Sequence, residues 1–106
     1  MLDETDFNAK VDETLQRIED ALDAGGADID FESTGGILTL TFPNGSRIII
    51  NRQTPNRELW LAARRGGFHF AWQDGSWRGT RDGRPLSEVL AECVSEQAGA
   101  PVDLAI

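Results

Sequence analysis

The chain has 106 residues, 40% of them hydrophobic, and its 18 acidic and 10 basic side chains give a formal charge of −8 and a pI near 4.4. That is the size of a single domain, 1–106, with three Trp and five Phe to build one core, and its charge disfavours nucleic acid, which is held mainly by Lys and Arg on phosphates. No apolar run is long enough to span a bilayer and no basic stretch precedes an apolar segment, so neither membrane insertion nor a signal peptide is expected, and the expected location is the cytoplasm.

From Phe7 to Leu22 the apolar residues Phe7, Val11, Leu15, Ile18 and Leu22 recur at the spacing of one helical face. Thr5 or Asp3 can cap this helix, and Gly25-Gly26 provides a stop. The period then becomes two. Asp28, Asp30 and Glu32 alternate with Ile29 and Phe31, which predicts a strand with one acidic and one apolar face. Strands over 37–42 and 47–53 follow, joined through Pro43-Asn44-Gly45-Ser46, where Asn-Gly is a strong hairpin signal. Thr54-Pro55-Asn56 leads to a strand over 58–63, Gly66-Gly67 to one over 68–72, and Gln73-Asp74-Gly75-Ser76 to one over 77–80. After Asp82-Gly83-Arg84-Pro85, residues Leu86, Val89, Leu90, Cys93, Val94 and Gln97 repeat at helical spacing up to Gly99 and Pro101.

Short loops imply antiparallel neighbours. The expected fold is therefore α+β: a two-layer sandwich in which N- and C-terminal helices cover one face of an antiparallel six-stranded sheet.

The charge is unevenly spread. Residues 1–32 hold eleven acids against Lys10 and Arg17, a net of −9, and the remainder of the chain carries +1. On a helical wheel Asp12, Glu19 and Asp23 fall within about 40° of one another, with Glu13 and Asp20 on the adjoining stripe and Lys10 and Arg17 beyond them. If the following strand is an edge strand beside this helix, Asp28, Asp30 and Glu32 extend the strip into a carboxylate ridge. The plain reading is a solvated face that keeps the protein soluble. The sharper readings are a weak, unselective site for oxygen-preferring cations and a docking surface for a basic partner, because like charges this close do nothing for folding. The ridge lacks the ligand spacing of an EF-hand.

A second constellation is 51–56 with Trp60. Strand alternation turns Thr39, Thr41, Asn51, Gln53, Glu58 and Trp60 outward. An outward Trp either caps an apolar edge or serves as an interface anchor among hydrogen-bonding neighbours. His69 shares that parity and is a weak ligand candidate on its own. Cys93, the single cysteine, lies on the apolar face of the last helix and is expected in the core, and no zinc cluster is present. A Gly-rich phosphate loop, a nucleophile elbow and a paired-His motif are all missing, so no enzyme is expected.

These residues resemble the frataxin family, closest to its bacterial branch. The resemblance rests on Asp28-Ile29-Asp30 before Gly36-Ile37-Leu38-Thr39-Leu40, and on the run from Asn44-Gly45-Ser46 through Asn51-Arg52-Gln53-Thr54-Pro55. Trp60-Leu61-Ala62, Gly66-Gly67-Phe68-His69-Phe70, Asp74-Gly75-Ser76-Trp77 and Gln97-Ala98-Gly99 continue it across the chain. It implies a non-catalytic, iron-binding regulator of iron–sulfur cluster assembly that contacts the cysteine desulfurase and the scaffold protein. By position, the iron-holding carboxylates are Glu19, Asp20 and Asp23, with Asp12, Asp28, Asp30 and Glu32 as weaker candidates for weakly bound, exchangeable Fe2+ or Fe3+. Asn51, Gln53 and Trp60 correspond to the partner-binding face. The resemblance further implies a monomer, with iron-dependent oligomers allowed. One departure is Ala24-Gly25-Gly26-Ala27, where bacterial relatives often carry further acids; it weakens the expectation of several irons but not the ridge. The rival reading is a ferroxidase or iron-storage protein, and a third is an acidic mimic that blocks a nucleic-acid-binding protein.

Overall fold

The computed structural model describes residues 2–25 and 28–104, so Gly26 and Ala27 of the helix stop lie outside the described residues. Helix α1 (Glu4–Ala24) is followed by strands β1 (Asp30–Thr34), β2 (Ile37–Thr41), β3 (Arg47–Gln53), β4 (Glu58–Ala63), β5 (Gly66–Gln73) and β6 (Ser76–Gly79), and by helix α2 (Leu86–Ala98). A 3-10 turn, Thr54–Asn56, joins β3 to β4. The strands form one antiparallel six-stranded meander in sequence order.

Asp3 caps α1, its carboxylate accepting the Asp6 amide at 2.8 Å. The residues that α1 buries are Phe7, Val11, Leu15, Ile18 and Leu22, the five that the spacing selects. They meet Leu38, Leu40, Ile48, Ile50, Leu59, Leu61 and Phe70 from alternate positions of the strands, and Leu86, Val89, Leu90, Cys93 and Val94 from α2. Both helices thus cover one face. Trp77 joins them: its ring packs edge-on against Phe7, and its indole N–H donates to Thr14 Oγ1 at 2.9 Å.

The strand bounds differ from expectation at β5, which begins at Gly66 because the turn after β4 falls on Arg64-Arg65 rather than on Gly66-Gly67, by one residue at the ends of β2 and β6, and at β1 for local reasons. Thr34 pairs with Ile37 across Gly35-Gly36, both at positive φ (59° and 81°), which is the two-residue turn that matches strand twist. Strand β1 therefore reaches Thr34. It starts at Asp30, opposite Thr41, because the chain beyond Thr41 turns away: the Phe42 amide donates to Ser46 at 2.9 Å and Pro43 has no N–H. Asp28 precedes the ladder. Among the described residues no helix is long and apolar enough to cross a membrane.

Candidate functional site

The C-terminal half of α1 concentrates Glu19, Asp20 and Asp23, and no basic residue lies in its last turn. Carboxylates near a helix C-terminus face the negative end of the dipole. Their position therefore opposes folding. Gln16 donates to Asp20 Oδ1 at 3.0 Å, and among the described residues Glu19, Asp20, Asp23, Asp28, Asp30 and Glu32 form no ion pair with a basic side chain. Asp12 differs. Arg52 reaches back from β3, donating Nη1 to Asn8 Oδ1 at 2.9 Å and Nη2 to Asp12 Oδ1. Glu13 is engaged too, with Arg17 at 2.8 Å.

Strand β1 is the sheet edge, as the ridge requires. Phe31 sits opposite the buried Leu40, on the helix side, so Asp30 and Glu32 stand on the other face beside Thr41 and Thr39. The carboxylates are spread along an edge rather than gathered in a cage: among the described residues no three acidic, His or Cys side chains converge to hold one metal ion. Such an array offers a cation one or two protein oxygens at a time, the rest of its shell being water.

The outer sheet face is the second site. Asn51, Trp60 and His69 form one row across β3, β4 and β5. The Trp60 ring stacks on His69 with centroids 4.3 Å apart and planes 8° apart, and its indole N–H donates to Glu58 Oε1 at 2.8 Å. His69 Nδ1 lies 3.8 Å from the same oxygen. Gln53 pairs with Glu58 in the next row. On the same face Ile37 and Ile49 are 39% and 38% exposed, the large apolar side chains most open to water among the described residues. Trp60 is thus outward and half-buried, held flat by His69 and Glu58. Sequence alternation placed it correctly but gave no sign of the stack, since the register that aligns Trp60 with His69 depends on the β4–β5 turn.

Helix α2 carries an ionic network on its exposed side. Arg84 contacts Glu88 and Glu92, and Arg65 reaches Glu92 at 2.8 Å and Glu96 at 3.0 Å. Hydrogen bonds from Arg84 and then Arg65 hold the Glu92 carboxyl below its ordinary value. Cys93 is fully buried and desolvation pushes its thiol up, away from nucleophile chemistry.

Comparison with known proteins agrees with this fold. A family model described as a frataxin-like domain matches residues 1–100. The iron-sulfur cluster assembly protein CyaY of Vibrio cholerae is 47% identical over 102 residues, 96% of this chain and 98% of the relative. CyaY of Dechloromonas aromatica is 47% identical over 104 residues, covering 97% and 99%. Frataxin from Psychromonas ingrahamii superposes with a TM-score of 0.92 at 32% identity over 99% of this chain and 100% of that one. A trimeric frataxin from Saccharomyces cerevisiae, crystallised as a ferrous complex, gives a TM-score of 0.70 at 30% identity over 93% and 88%. In sequence and in backbone, from end to end, the chain belongs to the frataxin family, on its bacterial branch.

Proposed function

We propose that the protein is a cytoplasmic, non-catalytic regulator of iron–sulfur cluster assembly that binds iron weakly on its α1–β1 carboxylates and docks through the same ridge on a basic surface of the cysteine desulfurase. The names of its CyaY relatives support the assembly role, and the ferrous complex of the yeast relative supports iron. The observation that carries the ridge reading is that Glu19, Asp20 and Asp23 lie without a cationic partner at the unfavourable end of α1, while Asp12 and Glu13 are already paired. Carboxylates kept where they oppose folding fit a role in binding. Hard oxygen ligands without a cage suit Fe2+ or Fe3+ in rapid exchange. Asn51, Gln53 and Trp60 then supply a second contact, with the desulfurase–scaffold complex. The protein acts as a monomer, and iron bridging two ridges accounts for any oligomer.

The test is a reconstituted assembly reaction containing desulfurase, scaffold, cysteine and ferrous iron, run with and without the protein. The protein changes the rate of cluster formation at substoichiometric iron occupancy. In parallel, oxygen uptake with ferrous iron alone does not turn over beyond the protein concentration; sustained turnover would make the protein a ferroxidase and overturn the regulatory reading.

A further inference from the structure

The outer sheet face has a basic corner that the ridge and the Trp60 row leave unexplained. The β3–β4 ladder ends at the pair Ile49–Ala62, and beyond it lie Arg47, which opens β3, and Arg64, the first residue of the two-residue turn that joins β4 to β5. A side chain of α2 closes this end of the ladder. Gln97, 1% exposed, donates Nε2 to the Arg47 carbonyl at 3.1 Å and to Ser46 Oγ at 3.0 Å, while its Oε1 accepts the Arg64 N–H at 2.9 Å. One buried amide therefore holds the two arginine backbones together.

Alternation decides where the Arg47 side chain goes. Ile48 and Ile50 are buried on the helix side, so Arg47 follows Ile49 onto the outer face, and Arg64 is exposed in the adjoining turn. Arg65, the other residue of that turn, reaches Glu92 and Glu96 on α2. Arg47 and Arg64 are exposed, and neither has an ion pair or side-chain hydrogen bond among the described residues of a chain that carries 18 acids. Asp30 lies in the same row two strands away, about 10 Å by strand spacing, and forms no ion pair with Arg47. Beside the two arginines stand the exposed Ile49 and Ala62, continuous with Asn51 and Trp60.

We propose that the Arg47–Arg64 corner receives an acidic segment of a protein partner, its carboxylates on the two guanidinium groups and an apolar side chain on Ile49. Arginine favours this occupant, because its planar fork meets carboxylates in pairs and sits beside apolar surface at little cost. The net charge of −8, with Asp30 and Glu32 on the same face, works against an extended phosphate polymer. The proposal rests on the preceding reading only in taking this sheet face as a docking face. It adds that docking joins charges of both signs: the ridge seeks a basic surface, and this corner an acidic one.

Two measurements on the full chain test it. Backbone amide spectra are titrated with a glutamate-rich peptide containing interspersed leucines, and with the same peptide carrying glutamine in place of glutamate. The glutamate peptide shifts the amides of Arg47, Ile49, Ala62 and Arg64, the glutamine peptide does not, and added salt removes the effect. Arg47→Glu with Arg64→Glu abolishes the shifts without changing the melting temperature by more than a few degrees, and Arg47→Gln with Arg64→Gln weakens them. The same pairs are then measured against the desulfurase–scaffold complex, where the Glu pair weakens binding at least about tenfold. Equal shifts from both peptides, or shifts that survive the Glu pair, overturn the proposal. Shifts that instead follow protein concentration without peptide, and vanish in a ridge variant, identify a second copy as occupant and also overturn it. If the corner binds peptide while the wild-type protein does not bind the complex, the assembly reading fails and the corner stands.

Discussion

Trp60 and His69 lie face to face across β4 and β5, centroids 4.3 Å apart and planes inclined by 8°, while Glu58 takes the indole N–H. This arrangement fixes a large, half-exposed aromatic surface on a rigid sheet without burying it, which suits an interface anchor. Trp60→Ala removes a cross-strand contact of about 1 kcal/mol or less, so folding changes little. Affinity for the desulfurase–scaffold complex falls about tenfold or more. Thermal unfolding and a binding isotherm check the pair of outcomes; a large fall in melting temperature with unchanged affinity would assign Trp60 to the core.

The acids at the end of α1 make a stability prediction of opposite sign. Replacing Asp20 and Asp23 with Asn removes negative charge from the negative end of the helix dipole and relieves repulsion with Glu19. Each change stabilises the protein by ~0.3–1 kcal/mol at low salt, and the gain shrinks as salt is added. Urea unfolding of both variants measures it. Destabilisation by either would mean that the ridge serves the fold.

Arg52 shows how much of this was legible in sequence and where legibility ended. The five buried positions of α1 and the alternation of the strands follow directly from apolar spacing, so the helix–sheet layering and the outward place of Asn51, Gln53 and Trp60 were readable. Arg52 shares the inward parity of Ile48 and Ile50, where an apolar residue is expected. Its partners Asn8 and Asp12 lie 44 and 40 residues away, a contact that only the folded layers create. The same limit hid the Trp60–His69 stack and turned Asp30 and Glu32 onto the face opposite α1. Local pattern specifies which face a residue occupies, and tertiary packing specifies what it meets there.

That contact carries its own prediction. Arg52→Met keeps much of the stem that packs against Gly36 but leaves Asn8 and Asp12 without their donor, costing about 1–2 kcal/mol. Arg52→Lys does not restore it fully, because one ammonium cannot span both acceptors as the fork does. With Asp12 released, the ridge gains a free carboxylate, and a Co2+ titration followed by amide line broadening extends to Asp12. Broadening at Asp12 that is the same in the wild type and in Arg52→Met contradicts the pairing.

The α2 network predicts a pH dependence. Arg84 and Arg65 hold the folded Glu92 carboxyl below its ordinary value of 4.5, so its contribution is fully present above that pH and is lost as pH falls through the lower folded-state value. Wild type should therefore be more stable than Glu92→Gln at neutral pH, with the gap closing in acid. Unfolding curves for both proteins between neutral and acidic pH measure it, and a gap that widens in acid reverses the assignment.

The central claim is that one carboxylate surface serves iron and the desulfurase alike. Its most direct test is the charge-reversed variant Glu19→Lys, Asp20→Lys, Asp23→Lys, titrated with ferrous iron without oxygen and separately with purified desulfurase at low salt. A shared ridge predicts that both affinities fall together, by at least about tenfold each, in a protein that remains folded. Binding to the desulfurase at wild-type strength, with iron affinity lost, would contradict it.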